Sequence, residues 1–430
     1  MEVSEDSMKN DLMKDYVAKL KNIFRILETT GYCRFVIRND KMVERNQGTM
    51  FYNICVLLCA NASAAYLLWF SNPTEQYLSL VEYIAIIYFT VFANLLMSNI
   101  TFGDNYIGLD LMHNNVNIDT LLGVEETGFM RDVSLKLYII ILIVIGFTQV
   151  TVVAYMYYVF HVSIAIHVVG SIYFLWLFFA YDEFCFFIYL NSFIAMRIRY
   201  LNIALIKFTK INKEYIPKQT IFDALFWKDE YDDRITFHER SDTKNFSVAL
   251  KMLFAQLRRI EDCYSFVLVL GAVTIAVGSL VAVQTFIMYI QTSETMIIRA
   301  TAMLGWSVAS WFHLLTTSMQ TDLFFKEIEQ MKLICAYVQL KPSSSAEILK
   351  LTKEILKTLE VRDAHVSVYG MFSFNTGLVL KIAASTFVYI TVQLQLAFPN
   401  LKEVHKTVNV TLPPAEFDFD PRKVKEFWFL

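Results

Sequence analysis

The chain has 430 residues, of which 56% are apolar and 18% charged, with a mean hydropathy of +0.42, a net charge of −3 and a pI near 6.2. Soluble domains run about 45–50% apolar and about 25% charged, so the composition argues against a water-soluble globule. The weakly acidic balance supplies no basic surface for nucleic acid.

Residues 1–49 are polar and charged, with no apolar core of a cleavable leader, so the first apolar helix is expected to act as its own insertion signal. A membrane-crossing helix needs about 20 apolar residues. Runs of that kind fall at 50–70, 78–100, 137–160, 164–190, 264–290, 300–319 and 372–398. They predict an all-α polytopic membrane protein with seven transmembrane helices. The inner end of the fourth run, near Asp182 and Glu183, is expected to project into the cytosol. The chain then divides into a cytosolic segment (1–49), spans one to four (50–190), a basic connection (191–263), spans five and six (264–319), a cytosolic helical segment (320–371), a last span (372–398) and a tail (399–430).

Lys and Arg set the direction, because they accumulate on the cytosolic side. Of 38 such residues, 31 lie on the side of the N-terminal segment and 6 on the other, while Lys381 is inside the last span. The N-terminus is therefore expected inside and the C-terminus outside, opposite to G-protein-coupled receptors. The sequon Asn409-Val410-Thr411 falls in the external tail, and Asn245-Phe246-Ser247 falls on the cytosolic side. All seven prolines lie outside the spans, which predicts unbroken helices, unlike the interrupted helices of many secondary transporters.

The ends of the basic connection look helical, from Arg197 and from Phe246, while the charged middle from Lys228 lacks periodicity. After span six, the stretches from Thr321 and from Ala346 to Gly370 also show three-to-four spacing, so these segments are expected to pack as a helical cytosolic layer. The six cysteines form no metal spacing, and no disulfide is expected. No phosphate loop, GxSxG or HExxH is present. Asp182–Glu183 reads first as a solvated or Arg-paired helix end. An enzyme is not expected, and neither a cofactor nor a metal.

The last span carries Lys381, Ser385, Tyr389 and Gln393 at steps of four, a stripe curving along one side of a helix. A mid-membrane Lys costs about 2.5–3.5 kcal/mol on insertion scales. The stripe therefore needs either interhelical hydrogen bonds within a bundle or an aqueous path, and the residues alone leave both open.

The run Thr386-Phe387-Val388-Tyr389-Ile390-Thr391-Val392-Gln393-Leu394 resembles the C-terminal signature of insect gustatory receptors: Thr-Tyr, five apolar residues, then Gln-Phe. Thr386 and Gln393 match; Phe387 and Leu394 are conservative replacements. Gly370, Phe372 and Asn375 resemble the family's Gly-x-Phe-x-x-Asn lead into the last helix. The resemblance implies a ligand-gated, non-selective cation channel, a homotetramer or a heterotetramer with related subunits. The last helices of four subunits would surround one pore, with Gln393 and Leu394 at the outer gate and Tyr389 and Ser385 along the wall. The cytosolic helices would form an anchor domain. Phe387 lacks the hydroxyl of the usual Tyr. Val388 stands where the sugar-receptor branch carries an acid, which leaves bitter-type and fructose-sensor-type receptors.

Partners implied are membrane lipid, a small-molecule tastant and permeating cations, at the plasma membrane of a chemosensory dendrite. By resemblance the tastant pocket lies among helices two to six. Polar or aromatic residues predicted at that depth are Glu82, Tyr83, Gln149, Tyr155, His167, Trp176, Gln284, Trp306 and Ser310. A solute carrier of a small polar or aromatic metabolite and a metabotropic receptor are the competing readings.

Overall fold

The computed structural model describes residues 34–39, 41–70, 80–103, 105–122, 182–209, 242–290, 294–340, 345–361 and 366–397, with scattered positions within 12–31 and 168–177. A short antiparallel ribbon, β1 (Val36–Arg38) and β2 (Lys41–Val43), leads into α1 (Gln47–Phe70). The Asn46 side chain caps α1, accepting from the Thr49 amide at 2.9 Å. Then follow α2 (Leu80–Phe102), α3 (Asn105–Leu122), α4 (Asp182–Thr209), α5 (Asp242–Ile290), α6 (Glu294–Leu340) and α7 (Ala346–Val361). A second ribbon, β3 (Ser367–Val368) with β4 (Phe372–Ser373), precedes α8 (Thr376–Ala397).

The molecule is an all-α membrane protein. Three described stretches are long and apolar enough to cross a bilayer, at Gln47–Trp69, Asn245–Ile287 and Thr376–Gln395, and Ile86–Phe102 is a shorter apolar helix. The expected span 137–160 lies outside the described residues, as do residues 228–241 of the charged middle of the basic connection, while its last four residues, 242–245, are the start of α5 and not loop.

At 1.5 Å per residue, the 49 residues of α5 and the 47 of α6 make rods about 70 Å long. A bilayer core takes only about 30 Å of such a rod. The charges of α5 stop at Asp262, and those in the lower part of α6 start at Asp322. Below that level α5 packs along α3 and α7, and α4 and α7 pack on α6. The expected helical layer is thus built from the lower rods together with α3, the end of α4 and α7. In α7, Leu351, Ile355 and Leu359 turn one face into it.

Helix α3 carries no clear signal in the sequence. Its sequence, NYIGLDLMHNNVNIDTLL, is too polar for a span and too short of charge to stand out. The last helix also starts later than expected. Residues 372–373 form a strand, not helix, because the chain reverses at Tyr369 and Gly370, both with positive φ (52° and 68°). Gly370 carries no Cβ to oppose that geometry. Phe374, an apolar residue that extended the hydropathy run, is a buried plug instead.

The chain divides within α8 into two compact units, Met1–Thr386 and Phe387–Leu430.

Candidate functional site

The lower layer is held by buried charge pairs. Arg197 of α4 grips Asp119 of α3 with both arms of its guanidinium, Nε to Oδ1 at 2.9 Å and Nη2 to Oδ2 at 2.8 Å. The two side chains are 0% and 2% exposed. The Phe193 ring lies 3.5 Å beneath the guanidinium carbon. Bidentate charge-assisted bonds of this kind are the strong class. Arg34 donates twice to Oε2 of Glu183, at 3.0 and 2.9 Å, and lies over the Tyr264 ring. Burial pulls the Arg34 pKa down, but the Glu183 carboxylate outweighs it and holds the guanidinium charged, above its ordinary value. Glu183 is therefore an Arg-paired helix end.

Further polar contacts complete the layer. Gln256 of α5 donates to Leu111 O and Asn115 Oδ1, and Asn202 of α4 donates to the backbone and carboxylate of Glu327 on α6. On the open side of α7, Glu354 accepts from Ser247 and Lys251 at 2.7 and 2.9 Å; these bonds lower its pKa. Cys335 is buried, and its thiol is pushed up to about 12 by burial. Among the described residues no group of three or more His, Cys, Asp or Glu is arranged to hold a metal.

Helix α8 is the opposite case. Val379 and Thr386, seven apart, are its buried side, at 2% and 6% exposed. The Thr386 hydroxyl is spent on Ile382 O at 2.9 Å. Lys381 and Ser385 are exposed, and so are Phe387 (67%), Val388 (61%), Tyr389 (64%) and Leu394 (39%). Gln393 is half-buried; its amide oxygen is occluded and has no hydrogen-bond partner among the described residues. Seven residues after Thr386, it shares that residue's side of the helix, about 20° away. The polar stripe therefore winds from the open flank at Lys381 towards the Thr386 side at Gln393.

Asn375, the last member of the family-like lead, has a direct physical role. Its Oδ1 accepts from the Leu378 amide at 2.8 Å, which makes it the N-cap of α8. Gly370 of the same lead makes the left-handed turn.

The expected pocket residues meet different fates. Trp176 is buried and lies against Tyr173, with ring centroids 6.4 Å apart. Ser310 is buried in α6, while Tyr83 and Gln284 are half-buried on α2 and α5. Gln149, Tyr155 and His167 lie outside the described residues, as do the side chains of Glu82 and Trp306.

The structure adds residues that the depth argument missed. Tyr173 shares a hydrogen bond with Thr90 at 2.8 Å, and its hydroxyl also donates to Ile86 O. Ser279 of α5 accepts from Ser307 at 2.8 Å and from the Trp311 indole at 2.6 Å. His313 stands edge-on to Phe184, 5.5 Å away. Ser307 and Trp311, four apart on α6, have the helical spacing that marks a shared face. Thr90 and Tyr173 have no such signal, being 83 residues apart.

No family model and no curated protein matches the chain. Its fold is that of insect olfactory receptors. The olfactory receptor OR5 from Machilis hrabei in complex with eugenol superposes with a TM-score of 0.63 at 14% identity, covering 89% of this chain and 99% of that one. A second structure of OR5 from Machilis hrabei gives a TM-score of 0.60 at 14% identity, over 88% and 97% of the two chains. Both neighbours are receptors, not enzymes. At this identity the likeness is one of fold.

Proposed function

We propose that this chain is a gustatory-type chemoreceptor acting as a tastant-gated, non-selective cation channel in the plasma membrane, its pore formed by α8 of four subunits. The observation that carries the reading is the state of α8. An apolar helix packs on one narrow side in a single chain and leaves Lys381, Ser385 and Tyr389 exposed in a polar row. Facing lipid, that row is costly; around a shared axis it is hydrated. One helix encloses no pore, but closed four-fold symmetry supplies the other three walls.

In this reading Gln393 and Leu394 form the outer gate as an amide ring and an apolar ring, the second closing by dewetting. The tastant binds among α2, α4 with the residues that precede it, α5 and α6, near Trp176, Ser310 and Gln284, and is of the bitter or fructose-sensor type. Binding opens the ring only in so far as the ligand prefers the open state. The test is a planar bilayer holding the purified chain alone. Discrete unitary steps that grow more frequent with tastant, without any G protein, are the expected outcome. Stoichiometric uptake without unitary steps would instead establish the carrier reading.

A further inference from the structure

The ribbon before α8 is fastened to both long rods. On the α5 side, Glu261 Oε1 accepts from the Ser367 amide at 2.8 Å. On the α6 side, the Thr321 hydroxyl reaches Phe374 O at 2.8 Å, as well as Ser318 O in its own helix. Asp322 Oδ2 accepts from the Thr376 amide at 3.1 Å. The ribbon closes on itself through Phe374 N to Val366 O at 2.8 Å, and Val366, Val368 and Phe374 are buried beneath it. Glu261 and Asp322 stand where the charged halves of α5 and α6 give way to their apolar halves. The ribbon therefore lies at the level where the charged and apolar halves of the two rods meet.

Thr376 is the first residue of α8, immediately after the Asn375 cap. Its amide is one of the four donors that a helix leaves unsatisfied at its start. A carboxylate there also meets the positive end of the helix dipole. In α8 that carboxylate comes from another helix, 54 residues earlier in the chain.

We propose that Glu261, Thr321 and Asp322 form a clamp that fixes the inner end of α8 to α5 and α6, so that these rods and the last helix move as one linkage. No proline interrupts α5 or α6, and each runs as one helix from its membrane half to the clamp. Asp322 and Glu261 are positioning residues, acting on the pore through α8. The linkage rests on the channel reading only in making α8 the gate helix.

The test uses the full chain with Asp322→Ala, Asp322→Asn, Glu261→Gln and Thr376→Pro. Proline suits the first helical position and deletes only the amide that Asp322 receives, so Thr376→Pro breaks the clamp with Asp322 intact. Two readouts are taken. Hydrogen exchange of the purified protein is expected to accelerate roughly five- to tenfold at residues 377–379 in Asp322→Ala and Thr376→Pro. It should change less in Asp322→Asn, which keeps an acceptor. In cells, the half-maximal tastant concentration or the basal open fraction is expected to shift by a similar factor, with unitary conductance and surface amount unchanged. Glu261→Gln should shift it in the same direction by less. Unchanged exchange and an unchanged dose curve in both Asp322→Ala and Thr376→Pro overturn the clamp. A wild-type chain that passes no current refutes the channel reading alone, and the exchange readout still decides the clamp.

Discussion

Arg197 and Asp119 lie at essentially zero exposure with two hydrogen bonds between them, whereas on α8 Phe387, Val388 and Tyr389 are each more than 60% exposed. Among the described residues the lower layer is braced within one chain, by buried charge pairs and by hydrogen bonds between its helices. The last helix is apolar enough to cross a membrane yet only 11% of it is buried. One region is an internal frame; the other is finished by something outside the chain, lipid on part of its surface and, in the proposed assembly, water and sister helices on the rest. Burial and exposure are thus segregated, an arrangement that suits the proposed channel.

The largest test strikes the frame. Arg197→Met strands a buried carboxylate and is expected to destabilise by about 3–5 kcal/mol, whereas Arg197→Met with Asp119→Leu recovers most of that loss. Thermal unfolding followed by size-exclusion fluorescence measures both. If the single and double variants melt alike, the pair is not a unit.

The next test probes the bare helix. Ser385→Cys and Tyr389→Cys are expected to react with a membrane-impermeant methanethiosulfonate and change the current, while Val379→Cys, on the buried side, stays silent. Equal reaction at all three positions removes the distinction between faces.

A thiol reports on the frame more gently. With its pKa at about 12, Cys335 carries almost no thiolate near neutrality. Its alkylation at pH 8 is expected to run at least about a hundredfold slower in the folded than in the unfolded chain, as read by mass spectrometry.

The smallest effect is at Glu354, whose bonds to Ser247 and Lys251 lower its pKa below 4.5. Its contribution is complete above the unfolded value and is lost as pH falls through the lowered folded one. For so exposed a pair that is about 0.2–1 kcal/mol. Glu354→Gln should therefore lower the unfolding midpoint at pH 7 and converge with wild type as the pH falls through the lowered folded value.

Much of the frame was legible because hydropathy and period speak locally. The helix after Ala346, the helices flanking the basic connection and the apolar halves of α5 and α6 all follow from spacing within one segment. What was not legible depends on residues far apart. Asp119 is one acid in a polar connection until Arg197 arrives 78 positions later. The ribbon at 367–373 carries helical spacing up to Gly370 and joins the apolar run from Phe372, because Phe372 and Phe374 raise the hydropathy, although the turn at Gly370 breaks both. At the candidate pore, the four-residue steps gave the stripe, but not its winding towards the Thr386 side. The partners of Tyr173 and Ser279 had to wait for the packing.

The most direct measurement is the unitary conductance of the purified chain in a bilayer with Gln393→Ala, set against Gln395→Ala. Those two positions stand about 200° apart on the helix. The account predicts that Gln393→Ala changes single-channel amplitude or open time at unchanged surface expression, while Gln395→Ala does so far less. Equal amplitudes and open times in wild type and both variants would contradict a pore walled by α8.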